Sequence, residues 1–320
     1  MQAPIGGIST PRLAAAVSNA GGLGMLSGTW RSAKELSAGI QEIHDGTSNP
    51  FGVNLVLCFD ISEQLRVCLA ERVPVVSFFW GDPGPYISRL HDANSLVMHT
   101  VGTARDAQRA VSEGADVIVA QGIEAGGHVC GTVGTMALVP SVVDAVPGTP
   151  VIAAGGIADG RGLAAALCLG ASGAMLGSRF VMSKESDAHS AYQEAMIAAS
   201  ENDTVYVQNL FDGGWKDAPH RVLKNSTFTQ WKTAGSMPPG SRPGEDETVA
   251  WLSAGDPVSR YSSDAPTKHV MSGMPEAMAL YSGQGAGLLN SVESAHDIVL
   301  RIIAEAETIF QPAGSVTAFD

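Results

Sequence analysis

A (β/α)8 barrel, an α/β fold with a parallel sheet covered on both faces, is the fold this sequence predicts, and three observations predict it. Short apolar runs alternate with amphipathic stretches from the first residues to about Met182. The runs are near-continuous in apolar residues rather than alternating, as strands buried on both faces require. Eight of them occur in succession, each but the last followed by a helical stretch, and that number closes a barrel.

The candidate strands are 2–5, 22–26, 53–57, 74–79, 96–101, 117–121, 151–155 and 174–177. Between them lie helix signals. Thr10 before Pro11 reads as an N-cap followed by proline at the first helical position. Ser32 with Glu35 has capping-box spacing, and Asp60 with Glu63 resembles it. Residues 103–114 place Ala104, Ala107 and Val111 on one face, and 162–169 is almost wholly apolar before Gly170, a plausible terminating glycine. After about Ser200 the apolar runs thin out, with turn signals at Asp212–Gly214 and at 238–243. This predicts a smaller lid subdomain inserted after strand eight, over 203–291. Strong amphipathy returns at Val292, Ala295, Val299, Ile302 and Ile303, so the plan is a barrel over 1–202, the lid, and a C-terminal helix within 292–320 that packs back on the barrel.

Composition narrows the partners. The 320 residues hold 19 Lys and Arg against 32 Asp and Glu, a formal charge of −13, and no basic run, which argues against nucleic acid or an anionic membrane surface. An anionic ligand must then be held by backbone dipoles. Charged residues are 16% and mean hydropathy is +0.11, values of a compact enzyme-like globule. Cys58, Cys68, Cys130 and Cys168 show no C-x-x-C spacing and read as buried thiols of a reducing compartment, so a cytoplasmic location is expected. No apolar run reaches transmembrane length.

The chemistry concentrates in three turns after the sixth, seventh and eighth strands. Gln121–Gly131 reads Q-G-I-E-A-G-G-H-V-C-G, where Gly126 and Gly127 admit close backbone approach and His128 is the side chain most easily set near neutrality. The second turn runs from Ala153 to Gly160 through Gly155 and Gly156; the third is Gly177-Ser178. Loops after strands seven and eight are where barrels bind phosphate, through backbone N–H groups and a helix N-terminus. Plain tight turns are the other reading of those glycines, and a satisfied structural histidine the other reading of His128. Glu124 reads either as a general base or as a supporting acid. Asn54, polar within an apolar strand, either faces a ligand or makes a core hydrogen bond. Trp80, in the turn 78–83, either walls a planar ligand or covers the barrel rim. Gly283–Gly287 is a further backbone-permissive turn. The other histidines, His99 and His220 among them, read as structural or surface residues. His128 and Cys130 are too few for a metal site, and none is expected.

Together these residues resemble the nitronate monooxygenase family, formerly called 2-nitropropane dioxygenases. The resemblance runs from Gln2-Ala-Pro-Ile5 through 20–24, 52–55, 121–128, 153–160 and 177–180 to Gly283-Gln-Gly285, nearly the whole chain. The same motifs are similar to those of flavin-barrel enoyl-acyl-carrier-protein reductases and some flavin quinone reductases. The resemblance implies bound FMN with its phosphate at Gly155, Gly156, Gly177 and Ser178. It implies that Ala3, Pro4, Ile5, Asn54, Gln121, Gly126, Gly127 and Gln284 line the cofactor, and that His128 is the catalytic residue. The implied activity is oxidation of a nitronate by O2 to a carbonyl compound and nitrite, His128 removing an α-proton from a neutral nitroalkane or stabilising a preformed anion. An NAD(P)H-dependent flavin reductase of an enoyl thioester or quinone, and a non-redox barrel binding a phosphate ligand, are the alternatives. A homodimer stays open. The sequence departs from its relatives at the start, where Met1 directly precedes Gln2 and strand one is expected to be incomplete. It departs also at Ile5, where methionine is common, at Ser178, where threonine is common, and at Thr100, shorter than the polar residue many relatives carry.

Overall fold

Seven of the eight apolar runs form one curled parallel sheet in the computed structural model, which describes residues 1–311. The chain passes through β1 (Gly24–Ser27), β2 (Phe51–Val56), β3 (Val75–Phe79), β4 (Leu96–Val101) and β5 (Val117–Gln121). β6 (Gly127–His128) belongs to a different sheet, and the parallel sheet resumes with β7 (Val151–Ala154) and β8 (Gly173–Met175). Strand order follows chain order, and the helices between pack on the outer face. Leu26, Val53, Leu55, Val76 and Phe78 point outward into that layer, while Val75, Met98, Val119, Ala154 and Met175 fill the inside. Burial on both faces explains why the strands read as continuous apolar runs.

Three helices begin where the sequence signals them. Thr10 caps α1 (Pro11–Asn19), Ser32 and Glu35 form a complete capping box on α2 (Ala33–Gly46), and Thr103 caps α5 (Ala104–Glu113). α3 (Ser62–Ala70) differs: Ile61 is at its N-cap, and the Asp60 carboxylate is taken up by the N–H and hydroxyl of Ser62 at 3.0 and 2.6 Å. α4 (Gly84–Asp92) and α6 (Thr135–Ala145) complete that side. α7 (Gly160–Cys168) starts two residues earlier than the apolar run, because Asp159 accepts from the N–H groups of Arg161 and Gly162. Of the four cysteines only Cys68 is buried; Cys58, Cys130 and Cys168 are exposed, and all four are free thiols. Apolar neighbours in sequence therefore misled that reading, since a residue's face rather than its neighbourhood decides its burial.

The first candidate strand is reduced to a bridge, yet it joins the two sheet edges. Gln2 N–H donates to Leu23 O at 3.1 Å, while Ala3 N–H donates to Leu176 O and Leu176 N–H to Met1 O at 2.8 and 3.0 Å. The fully buried Gln2 side chain accepts from Met25 N–H at 2.7 Å and donates to Ser9 Oγ at 2.8 Å. The architecture is thus mixed α/β with a parallel sheet consistent with a (β/α)8 barrel.

Beyond β8 come the short α8 (Ser178–Val181) and α9 (Ser190–Ala198), then two small antiparallel sheets. β9 (Thr204–Val207) and β10 (His220–Leu223) join β6, with His220 opposite His128 and Arg221 opposite Gly127. After α10 (Ser226–Thr233), β11 (Thr248–Leu252) lies between β12 (Pro257–Ser259) and β13 (Val270–Gly273). The segment after strand eight is therefore stitched to the His128 turn through backbone pairing. α11 (Ala295–Phe310) starts at the Ser294 cap rather than at Val292 and packs Ile298, Val299 and Ile302 against Leu13, Val17 and Phe180. Its Glu305 accepts from Gly160 N–H at 2.8 Å, so the helix docks on the start of α7. The expected C-terminal unit ends at 320, and 312–320 lie outside the described residues.

Gln2→Ala leaves the buried Met25 N–H without an acceptor, a loss of about 1–3 kcal/mol. Urea denaturation is expected to show that loss with an unchanged slope.

Candidate active site

The C-terminal ends of the strands surround a cavity of about 390 Å³. Ala3, Pro4 and Ile5 line it from the bridging segment, Asn54 from β2, Gln121, Gly126, Gly127 and His128 from the first glycine turn. Gly155, Gly156, Gly177 and Ser178 line it from the other two turns. Residues far apart in sequence thus meet at one end of the sheet, where strand direction carries every βα turn. Gln284 is the exception. Its neighbours Gly283 and Gly285 face this cavity, whereas Gln284 lines a second one, of about 520 Å³, behind Gly155 and Gly156. Asn54 makes the core hydrogen bond, donating to Ser77 O at 3.1 Å, and also borders the cavity. Glu124 holds the start of α6, accepting from the Thr135 N–H through both oxygens at 3.0 and 2.9 Å and from the Thr135 hydroxyl at 2.9 Å. Its oxygens are committed to that cap.

Gly155 and Gly156 take φ of +113° and +70°, the left-handed region that favours glycine. Among the described residues, the N–H groups of Gly155, Gly156 and Gly177 find no acceptor in the protein. Ser178 Oγ accepts from Gly283 N–H at 2.9 Å, which leaves its own hydrogen to donate. Three free amides and a hydroxyl donor are thus gathered at one end of the cavity, donors of the kind that suit an anion. Gly126 has another role: a Cβ there would stand 2.4 Å from Gly283 N, so its smallness serves the contact between two turns.

His128 sits among rings. The Trp215 indole stacks on its imidazole with centroids 3.8 Å apart and planes at 22°, and Tyr281 and His220 each lie 5.5 Å away. Its Nε2 is buried without a partner, as is Oε1 of Gln121, whose Nε2 donates to the His128 carbonyl at 3.1 Å. Burial, with His220 adding to it, pushes the His128 pKa down to about 3, so the imidazole is neutral at physiological pH. Trp30, Phe79 and Trp215 add an aromatic wall, and among the described residues the only formally charged side chain on the lining is Asp264. Sequence reasoning missed Trp30, Trp215 and Tyr281, and it placed His220 among structural or surface residues. The structure buries His220 beside His128, because β10 pairs with β6. The aromatic that follows the Asp212–Gly214 turn was the available signal for Trp215. Trp80 packs on Trp215 at 5.3 Å and does not border the cavity itself.

The nitronate monooxygenase family model matches residues 1–63 and 58–305. The chain belongs to the nitronate monooxygenase family. The proteins it is similar to carry different names. A Mycobacterium tuberculosis protein named (3aS,4S,5R,7aS)-5-hydroxy-7a-methyl-1-oxo-octahydro-1H-indene-4-carboxyl-CoA dehydrogenase is 33% identical over 99% of this chain and 95% of its own. Among solved structures, FabK from Thermotoga maritima superposes with a TM-score of 0.77 at 33% identity, covering 96% of this chain and 92% of that one. Nitroalkane oxidase from Streptomyces ansochromogenes gives a TM-score of 0.77 at 28% identity over 96% and 95%. Membership of the nitronate monooxygenase family makes this chain a flavin-dependent oxidoreductase. No helix among its described residues is long and apolar enough to cross a membrane.

The buried imidazoles make folding pH-dependent. His99, also depressed by burial to about 4, and His128 resist protons in the folded state that they accept once unfolded. Their contribution to stability is complete above the ordinary value of 6.5 and is lost as pH falls toward 4, by up to about 1.4 kcal/mol per pH unit for each ring. Urea midpoints at pH 7 and pH 4.5 are expected to show the fall, and His128→Asn is expected to reduce it.

Proposed function

We propose that this protein is an FMN-dependent oxidoreductase whose substrate is an apolar, ring-bearing acyl thioester. The observation that carries the reading is the cavity lining, which is aromatic and apolar and offers no Lys or Arg to a small anion. The reacting end of a thioester is uncharged and suits such a wall; a nitronate does not. The indene-carboxyl-CoA dehydrogenase, matched over 99% of this chain, supports the same substrate class.

The residues present fit FMN. The free amides of Gly155, Gly156 and Gly177 and the Ser178 hydroxyl would hold its phosphate, and the partnerless Gln121 Oε1 would accept from a ring N–H. Bound FMN supplies two-electron chemistry. The protein's part is to orient and to exclude water. A neutral imidazole at position 128 is a poor proton acceptor, since its conjugate acid has a pKa of about 3. It serves instead as an N–H donor that polarises a carbonyl oxygen. In this reading residues 203–291 act as a cover, because Trp215, Leu252, Asp264 and Tyr281 all border the cavity.

Nitronate oxidation with O2 is the second reading, favoured by the fold and 28% identity shared with nitroalkane oxidase. Anaerobic mixing decides the order. An alicyclic acyl-CoA is expected to change the flavin spectrum, and nitronates in air are expected to release little nitrite. Rapid nitrite release, with a spectrum indifferent to the thioester, would reverse the assignment.

Gly177 offers a clean test of the phosphate placement. Its φ of −100° suits any residue, and an added Cβ meets only Ala3 Cβ at 3.6 Å. Gly177→Ala is therefore expected to keep its melting temperature while its FMN affinity falls at least about tenfold, as the Cβ crowds the free amide. A fluorescence titration with FMN gives the answer, and unchanged affinity would place the phosphate elsewhere.

A further inference from the structure

The donors assigned to the phosphate sit on two separate turns, Gly155-Gly156 after β7 and Gly177-Ser178 after β8. They can hold one anion together only if the two turns keep a fixed separation. The N–H groups that open α7 are not free to help. Gly160 N–H donates to Glu305 of α11 at 2.8 Å, and those of Arg161 and Gly162 donate to Asp159 at 3.0 and 3.3 Å. Two carboxylates therefore stand at the start of α7, and Glu293 adds a third beside α8. Three guanidiniums match them. Arg161 meets Asp159 at 2.6 Å, Arg179 and Arg301 meet one oxygen of Glu293 at 3.2 and 3.0 Å, and Arg301 also faces Glu305 at 3.8 Å.

Arg179 differs from the other two. Its side chain is 1% exposed, against 70% for Arg161 and 39% for Arg301. It directly follows Ser178, and its Nη2 donates to Ser291 O at 2.8 Å as well as to Glu293. Its Nε is buried without a partner. Taking a guanidinium out of water is costly, and one with an unmet N–H is poorly compensated by its surroundings. A full charge kept there, next to Ser178, calls for a reason beyond packing.

The same side chains link the two turns. Arg179 holds Glu293, Glu293 holds Arg301 of α11, Arg301 faces Glu305 one helical turn on, and Glu305 holds the first residue of α7. Helices α11 and α7 touch at backbone distance there, since a Cβ on Gly160 would stand 2.3 Å from Glu305 Cβ. Glu293 is itself anchored beyond α8: its N–H donates to Met182 O at 3.2 Å and its carbonyl accepts from Lys184 N–H at 2.9 Å. A shift of α8 must therefore carry α11 and the start of α7 with it.

We propose that Arg179 is the positioning residue for the phosphate: through Glu293, Arg301 and Glu305 it fixes the turn of Gly177 and Ser178 against that of Gly155 and Gly156, and with the other two guanidiniums it balances the three carboxylates nearby. The proposal rests on the phosphate placement above and goes beyond it, since Arg179 borders neither cavity. Without its charge Glu293 is left with one cation fewer, and a phosphate at the neighbouring turn feels that loss. The residues expected at the flavin ring, Ala3, Pro4, Ile5, Asn54 and Gln121, lie on other elements. The link therefore matters to the phosphate and not to the ring.

The test compares FMN with riboflavin, which lacks the phosphate, by flavin fluorescence titration of the full chain freed of flavin. The unaltered protein is expected to bind FMN at least about a hundredfold more tightly. In Arg179→Met, Glu293 keeps Arg301 as a partner; FMN affinity is expected to fall at least about tenfold while riboflavin affinity stays within about twofold. Should that variant fail to fold, Arg301→Met, at a partly exposed position, breaks the link between Glu293 and Glu305 and is expected to give a smaller loss of the same kind. A purely structural role would weaken both flavins alike, so an equal loss, or no loss in a folded variant, overturns the proposal. Equal binding of FMN and riboflavin by the unaltered protein would instead overturn the phosphate placement, and this proposal with it.

Discussion

The bridging of the parallel sheet's two edges by one short segment is the constraint on which the rest of this molecule depends. β1 and β8 are the sheet's two edges, and both bond to the same short segment, through Leu23 on one side and Leu176 on the other. The Gln2 side chain ties that segment again to Met25 and Ser9. An open parallel sheet leaves unpaired backbone groups on two edges, and the few residues at the junction give each edge a partner. The same few residues deliver Ala3, Pro4 and Ile5 to the cavity, opposite the turns that follow β5, β7 and β8. The bridging of the edges and the construction of the site are therefore one event.

A second dependence runs from the segment beyond β8 back to the first glycine turn. β6 is two residues long and has no standing as a strand without β10, whose His220 and Arg221 lie opposite His128 and Gly127. Arg221 reinforces the contact by donating to the Ile123 carbonyl through Nε and Nη2 at 3.1 and 3.0 Å. The barrel supplies the turn, and the added segment sets its conformation and its surroundings. Burial among Trp215, Tyr281 and His220 keeps the imidazole uncharged. Desolvation by those neighbours is the larger cause of the depressed pKa, with His220 adding to it. The environment, rather than the residue type, thus decides which chemistry His128 is suited to.

The reading of the anion surface follows the same logic. A chain of net charge −13 with no basic run cannot offer a bulk electrostatic attraction to a phosphate. Free backbone amides at Gly155, Gly156 and Gly177 would do it locally, over a distance at which overall charge matters little. The cavity's lack of Lys and Arg extends the point from the cofactor to the substrate, and separates this chain's reading from the activity that gives its family a name.

The sequence by itself determined the alternation of strand and helix in the parallel sheet, the starts of α1, α2 and α5, and the three turns that meet at the cavity. Those features are written locally: apolar runs reflect burial on both faces, Ser32 and Glu35 form their capping box within one turn, and glycine marks the places where the backbone must go left-handed or approach closely. The site residues it singled out meet around one cavity, save Gln284, Glu124 and Trp80, because strand direction places the βα turns at the same end. Only the tertiary structure decided what surrounds them. Trp30, Trp215 and Tyr281 converge on His128 from segments with no shared pattern, and the pairing of β6 with β10 is too short to leave a periodic signal. Gln284 turned away from its glycine neighbours, and Glu124 was spent on capping α6, because side-chain direction in an irregular turn depends on what packs against it. The opening glycine turn was legible as chemistry from its residues; that its histidine stays neutral beneath a stacked indole is a property of the folded chain, since desolvation exists only once distant parts have come together.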